Sequence, residues 1–379
     1  MNNFKILKKS KKTRGRVGQL RTEHGLIETP IFMPPATKGY LKGLDCLDIE
    51  NAKSQIILVN AYHLYLKPGD SYIKKYMGIH KFMNWNKPIL SDSGGFQVWS
   101  LNQRKGKKLV KISEEGVEFS SFIDGSKHFF TPEKSVKIQH NLGVDILMAF
   151  DQCASDELNV SDSEKILNKT NRWLLRNISE HEKLNKKNKT NKLLFGIAQG
   201  GRHILLREKA INFMKDLDID GLALGGETIG YNMKETKFLL DKVYNILPND
   251  KPIYTMGLGS NPQDMVDVIV SGVDMMDCVN PARLARHGEL FVGDLDLKSF
   301  KIKSKEKDNI LRISQSKFKN DKNPIDKNCN CFTCRNYSRA YLRYLYLMNE
   351  TLYLRLATIH NIYFSNMIIN KLKDFIKNE

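Results

Sequence analysis

Three carboxylates and three thiols carry most of the chemistry readable in this chain. Asp92 closes the run PILSD (88–92), Asp151 closes VDILMAFD (144–151), and Asp277 sits within VDMMDCV (273–279). Cys329, Cys331 and Cys334 crowd into a C-x-C-x-x-C pattern. Zinc holds thiolates spaced this way in a tetrahedron, with a fourth ligand from elsewhere. His360, in TLYLRLATIHN, is the natural candidate. A lone His on an apolar helix is ordinarily a core residue bonded to a carbonyl, but three thiols short of one partner favour the ligand reading. No position of the cluster looks open to water, so one structural Zn2+ per chain is expected. The remaining cysteines, Cys46, Cys153 and Cys278, fit buried, reduced thiols in a reducing compartment better than a disulfide framework.

Such groups must be held by a scaffold, and the apolar pattern supplies one. Short runs rich in β-branched residues or Leu, at 54–60, 88–92, 144–151, 193–199, 221–226, 252–259 and 273–279, read as strands. The stretches between them carry helical spacing, as in TPEKSVKIQHNLG (131–143) with its Thr cap and first-turn Pro. Alternation of this kind predicts an α/β fold, a (β/α)₈ TIM barrel. Asp92, Asp151, Gln199, Gly226, Met256 and Asp277 all fall at or just past a strand's carboxyl end, where such barrels carry their active sites. One buried Asp at a strand end is usually structural; joint placement on several strands points to a shared mouth. Past residue 300 the pattern changes to a Lys- and Asn-rich segment, the cysteine cluster and helical stretches near 335–349 and 351–376. The expected division is a catalytic barrel over 1–300 and a small zinc-binding subdomain over 301–379.

At 379 residues, 41% of them hydrophobic, the chain can bury a large core. The 60 Lys and Arg against 42 Asp and Glu leave a formal charge of +18, which suits a polyanionic partner. Runs such as EKLNKKNKTNK (182–192) are as readily solvated loops, so charge alone does not decide. No apolar run is long enough to span a membrane, and the basic opening MNNFKILKKSKK lacks a signal peptide's apolar segment. A soluble, cytoplasmic protein is expected.

SDSGGFQ (91–97), FDQC (150–153), GIAQGG (196–201), MMDCVNPARLARHG (275–288), the cysteine cluster and the final HN pair (360–361) together resemble the bacterial tRNA-guanine transglycosylases. The likeness runs from RGRVGQLRTEHGLIETPIFMP (14–34) to the closing helices. It implies exchange of the wobble guanine in GUN anticodons for a 7-deazaguanine, preQ1 or queuine. By that resemblance Asp277 is the nucleophile and Asp92 the acid-base partner. Replacing a base at one ribose carbon with retained configuration requires two inversions, hence a carboxylate that attacks C1′ and forms a covalent intermediate. Guanine's N1–H and exocyclic amine suit Asp151, and Gln199 can donate to O6 or N7; the resemblance further implies a bond from the Gly226 N–H to O6. Ser93, Gly94, Gly95, Gly225 and Cys153 would complete the base pocket, with Phe96 and Met256 sandwiching the ring, although core packing explains those two nearly as well. The segments GLGSNPQ (257–263) and NPARLARHG (280–288) match those that hold the anticodon stem-loop, through Gly257, Gly259, Ser260, Gln263, Pro281, Ala282, Arg283 and Arg286. His63 matches a position lining the ribose path, where a core histidine is equally reasonable.

The chain departs from the family where bacterial relatives usually read GGLAVGE and it has GGETIGY (225–231). Glu227 could supply a carboxylate for the preQ1 aminomethyl group in place of the later Glu, which here is Tyr231, or the pocket could be shaped for queuine. Ala61, Ala282 and PPATKG (34–39) depart as well. A non-catalytic tRNA-binding partner subunit, an enzyme acting at another tRNA position and a DNA-modifying relative are the competing readings; Asp92 and Asp277 together argue against the first. The resemblance also implies a homodimer with the zinc subdomain at the contact.

Overall fold

The computed structural model describes residues 3–102, 110–258 and 261–379, apart from the side chains at 99, 101, 102, 228 and 231. Gly259, Ser260 and the side chain of Tyr231 therefore lie outside the described residues. Eight parallel strands form one sheet: β1 (Ile31–Met33), β2 (Ile57–Asn60), β3 (Ile89–Asp92), β4 (Ile146–Met148), β5 (Leu193–Ala198), β6 (Gly221–Leu224), β7 (Ile253–Thr255) and β8 (Met275–Asp277). The strands follow one another around the sheet, β8 pairs with β1, and a parallel bridge from Pro35 to Leu58 joins β1's extension to β2. That bridge closes the (β/α)₈ barrel expected from the alternating pattern. Seven strands lie within the expected runs; β1 is the addition, three residues between Pro30 and Pro34.

Side-chain alternation sorts the strands into two cores. Met33, Leu58, Leu90, Met148, Phe195, Tyr254 and Met275 point into the barrel, whereas Phe32, Ile57, Ile89, Leu147, Leu194, Ile253 and Met276 face the helices. An antiparallel meander (Phe4–Lys9, Arg16–Thr22, Gly25–Thr29) covers the barrel's amino end and adds Phe4, Leu20 and Ile27 to the interior core. Helix α1 (Pro132–Leu142) has the expected caps: the Thr131 side chain accepts from Lys134 N, and Gly143 takes the left-handed conformation that ends it.

The chain's final helix, Thr351–Asn378, packs on the helices Pro262–Val270 and Asn280–Arg286 after β7 and β8, and on Cys46–Asn51, the first helix after β1. It fills the slot in the outer ring between the helices following β7 and β1. Arg355 grips Asp48 with two hydrogen bonds of 2.8 Å, and Asn366 donates to Ala52 O at 2.8 Å. Before that helix, the hairpin-like pairs Glu289–Phe291 with Ile310–Arg312 and Asp294–Asp296 with Lys301–Lys303 lead to the cysteines. No helix among the described residues is long and apolar enough to cross a membrane.

Candidate active site and metal centre

The inward register that builds the barrel core continues into its polar mouth. Leu58 leads to Asn60, Leu90 to Asp92, Ile197 to Gln199, Ala223 to Gly225, Tyr254 to Met256 and Met275 to Asp277, each two residues on and facing the same way. Asp151 breaks this parity for a local reason. Asn177 exchanges hydrogen bonds with the Phe150 backbone (3.0 and 3.1 Å), and the Phe150 ring stacks outward on Trp173. The chain turns there, and Asp151 swings back over the mouth.

These residues line a single cavity of about 420 Å³ that contains Asp92, Asp151 and Asp277. Part of its lining comes from Ser93, Gly94, Gly95 and Phe96, which follow β3 into the helix Gly95–Asn102. Cys153, Gln199, Gly225, Gly226, Met256, Gly257 and Arg283 line it as well. Gly95 is dictated by closeness: a Cβ there would stand 2.4 Å from Asp151 Oδ1.

The three carboxylates are held differently. The Asp277 Oδ1 atom accepts from Tyr254 Oη at 2.7 Å and from Gly257 N at 2.8 Å. Asp92 receives one neutral donor, Asn60 Nδ2, at 3.1 Å. Burial raises both carboxyls, and the nearby Asp277 charge pushes Asp92 further, to about 7. Two donors favour the ionised form of Asp277, while a single amide leaves Asp92 as the partner that keeps a proton near neutrality. Asp151 accepts from Gln199 Nε2 at 2.7 Å, and burial pushes it up to about 6. Gln199 Oε1 is buried without a partner, so the side chain retains hydrogen-bonding capacity beside Asp151.

Other expected residues stand outside the cavity wall. Glu227 turns aside, its Oε2 accepting from Ser155 Oγ at 3.1 Å and Asp156 N at 3.0 Å. Gln263 braces the segment at 300–302 through Asp267, Phe300 O and Ile302 N. His63 packs among Tyr62 and Phe122 with a buried, unpartnered Nδ1. Pro281, Ala282 and Arg286 lie on the short helix behind Arg283, and Arg286 donates to Ala282 O. Two residues escaped the sequence reading, Asn60 and Tyr254. The first sits at a strand's carboxyl end as Asp92 does, and the second faces inward two residues before Met256; both signals were present.

The four metal candidates converge. His360 Nδ1 lies 3.6, 3.5 and 3.3 Å from the sulfurs of Cys329, Cys331 and Cys334. Ligands of a tetrahedral zinc with ordinary Zn–S and Zn–N bonds stand about 3.5 Å apart, so the set fits that ion. The other ring nitrogen, Nε2, bonds to Phe291 O at 2.7 Å, which places its proton there and leaves Nδ1 free to coordinate. The next residue, Asn361, ties the same strand and Pro281 O to the final helix, so the cluster is braced against the helix that carries Arg283.

A parallel (β/α)₈ barrel with carboxylates gathered at its carboxyl end defines the molecule as a barrel enzyme, and the Cys₃His cluster beside it could hold a metal ion. Comparison with known proteins makes the class specific. The sequence model of the queuine tRNA-ribosyltransferase family matches residues 10–379. A queuine tRNA-ribosyltransferase of Thermoanaerobacter pseudethanolicus is 43% identical over 376 residues, covering 99% of this chain and 94% of that protein. One from Fusobacterium nucleatum is 44% identical over 369 residues (96% and 91%), and one from Acinetobacter baumannii 43% over 376 (99% and 93%). The chain belongs to the queuine tRNA-ribosyltransferase family, whose members are pentosyl-transferring enzymes.

Proposed function

We propose that this enzyme exchanges the guanine at the wobble position of GUN-anticodon tRNAs for a 7-deazaguanine. The observation that carries the reading is the single cavity shared by Asp277, doubly hydrogen-bonded, and Asp92, whose carboxyl is raised to about 7 by burial and the nearby Asp277 charge. With Oδ1 occupied by Tyr254 and Gly257, Oδ2 of Asp277 is the oxygen that attacks C1′ of the target nucleoside. The C1′–N9 bond breaks, its electron pair leaves with the base, and Asp92 delivers a proton to that base. A ribosyl ester of Asp277 remains. Asp92, now ionised, takes a proton from the incoming base, whose nitrogen attacks C1′ and releases Asp277. Two inversions return the original configuration.

Recognition follows the same wall. Asp151 accepts from the base's N1–H and amine, the second hydrogen of Gln199 Nε2 reaches O6, and Phe96 and Met256 cover the ring faces. The target base must be turned out of the RNA stack, and Arg283, which lines the cavity, meets the flanking phosphate or base. Residues 1–300 act as the catalytic barrel and 301–379 as the zinc-binding subdomain, with a structural zinc on Cys329, Cys331, Cys334 and His360. Bound there, zinc supplies a crosslink and no reacting group. Exposed Tyr341 and Tyr344 beside Tyr337, on the surface after the cysteines, support a homodimer through this face.

The test is incubation of a GUN-anticodon transcript with labelled guanine, preQ1 and queuine. Retention of label in the RNA is the expected result, and the preferred base identifies the natural substrate. No incorporation of any of the three, by protein with its zinc in place, contradicts the proposal.

A further inference from the structure

Arg207, on the helix Ile204–Met214, is fully buried beneath the strand ends of β5 and β6. Its Nε donates to Gly201 O at 2.8 Å, and Nη1 donates to Ala198 O at 2.8 Å and, closely, to Gly225 O. None of the ion pairs found among the described residues includes it, and Nη2 is buried without a hydrogen-bond partner. Burial lowers its pKa to about 10, still far above neutrality, so the guanidinium is charged. The Asp156 carboxylate lies near enough to favour the charge, yet taking a guanidinium out of water is costly, and its position behind a cavity wall ties that cost to function.

The accepting carbonyls belong to particular peptide units. The Gly225 carbonyl shares its planar unit with the N–H of Gly226, and the Ala198 carbonyl shares one with the N–H of Gln199. In a trans peptide the C=O and N–H point in opposite directions. Turning the Gly225 oxygen toward Arg207, behind the wall, turns the Gly226 N–H toward the cavity that Gly226 lines. A charged donor on the carbonyl also polarises the unit and strengthens the N–H as a donor. The glycine is required by the same arrangement. Gly226 has φ +114°, and a Cβ there would stand 2.6 Å from Arg207 Nη2, whose guanidinium is locked by three carbonyls.

We infer that Arg207 is a positioning residue that aims and polarises the Gly226 N–H at the six-position oxygen of the bound base, so that one guanidinium behind the wall sets the pocket's preference for a 6-oxo purine. This rests on the base-exchange reading above. As the glycosidic bond breaks, the electron pair left on N9 spreads through the ring to O6, and the polarised N–H meets the charge there.

The experiment compares guanine with 6-thioguanine, which keeps N1–H and the 2-amino group but replaces O6 with a weakly accepting sulfur. Binding of each free base, and KM and kcat for its incorporation, are measured for the wild type, Arg207→Lys and Arg207→Gln at matched zinc content. The wild type should favour guanine by about tenfold, the scale of one charge-assisted hydrogen bond. Both variants should lose most of that preference, with Lys retaining more than Gln, while affinity for an anticodon hairpin stays unchanged. A brace without an electrostatic role would weaken both bases equally, and that result overturns the inference. A crystal structure of the wild-type protein with guanine needs no variant: Gly226 N within hydrogen-bond distance of O6, with Arg207 still on Gly225 O, is expected, and either contact missing contradicts the inference. Failure of the wild type to exchange any base would instead contradict the proposed function.

Discussion

The two ends of the barrel hold buried aspartates in opposite ways. At the amino end, Asp145 accepts the His24 and Ile89 backbone amides (3.0 and 2.9 Å) and bonds to the His24 and His80 rings (2.8 and 3.1 Å). Asp274 takes a two-pronged bond from Arg16 and another from Ile253 N. At the carboxyl end, Asp92 has one neutral amide and Asp151 one glutamine. Both sets lose water, yet Asp145 is drawn below the usual carboxylate range, whereas Asp92 and Asp151 are pushed above it; Asp274, with Arg16, is raised by burial but does not line the cavity of the carboxyl end. One end uses carboxylates as clasps joining the meander, a helix and the strand starts. The other leaves Asp92 and Asp151 with one donor each and places both donors to Asp277 on a single oxygen, so that remaining lone pairs and protons are available to a ligand.

This contrast can be broken by substitution. Asp277→Asn should lower base exchange by about 10³-fold or more, as loss of a covalent nucleophile does, with zinc content and thermal unfolding unchanged. Asp145→Ala should act in the reverse sense, leaving buried N–H groups without an acceptor and costing roughly 3 kcal/mol of stability by urea denaturation. Exchange per folded molecule should be preserved. If Asp145→Ala instead abolished exchange in folded protein, the division between clasps and reactants would fail.

Smaller changes sharpen the account within the mouth. Tyr254→Phe removes one of two donors to Asp277 and should lower kcat about tenfold with little change in KM for RNA. The pH profile tests Asp92. In the proposed mechanism its raised carboxyl is protonated as the base leaves, so kcat/KM for the first half-reaction should decline as pH rises through about 7, and should fall again on the acid side as Asp151, raised to about 6, and Asp277, also raised, take up protons. The alkaline decline should be absent in Asp92→Asn, whose residual rate lacks that titrating acid.

Much of this was legible in the residues because chemistry and periodicity coincide. VDILMAFD and VDMMDCV each carry an Asp at both ends of a strand, and the strand's direction identifies which one faces the mouth. The cysteine cluster was legible because three thiols fall within six residues. Strand β1 was not, since three residues between prolines leave too short a run to show alternation. Arg207 was hidden because a lone Arg on a short helix normally faces solvent, and only the packing of helix against strand ends buries it. Glu227 looked like a pocket acid, yet its carboxylate holds the turn at Ser155 and Asp156, contacts 72 and 71 residues away in sequence that no local pattern reports.

The central claim is that Asp277 becomes covalently attached to the ribose while Asp92 carries the proton. The direct measurement is to mix the protein with a GUN-anticodon hairpin, quench with denaturant in the absence of incoming base, and map any protein–RNA adduct by mass spectrometry of its peptides. A ribosyl adduct is expected on the peptide containing Asp277, lost in Asp277→Asn and chased by added base. An adduct on Asp92, or rapid exchange by the Asp277→Asn protein, would contradict the claim.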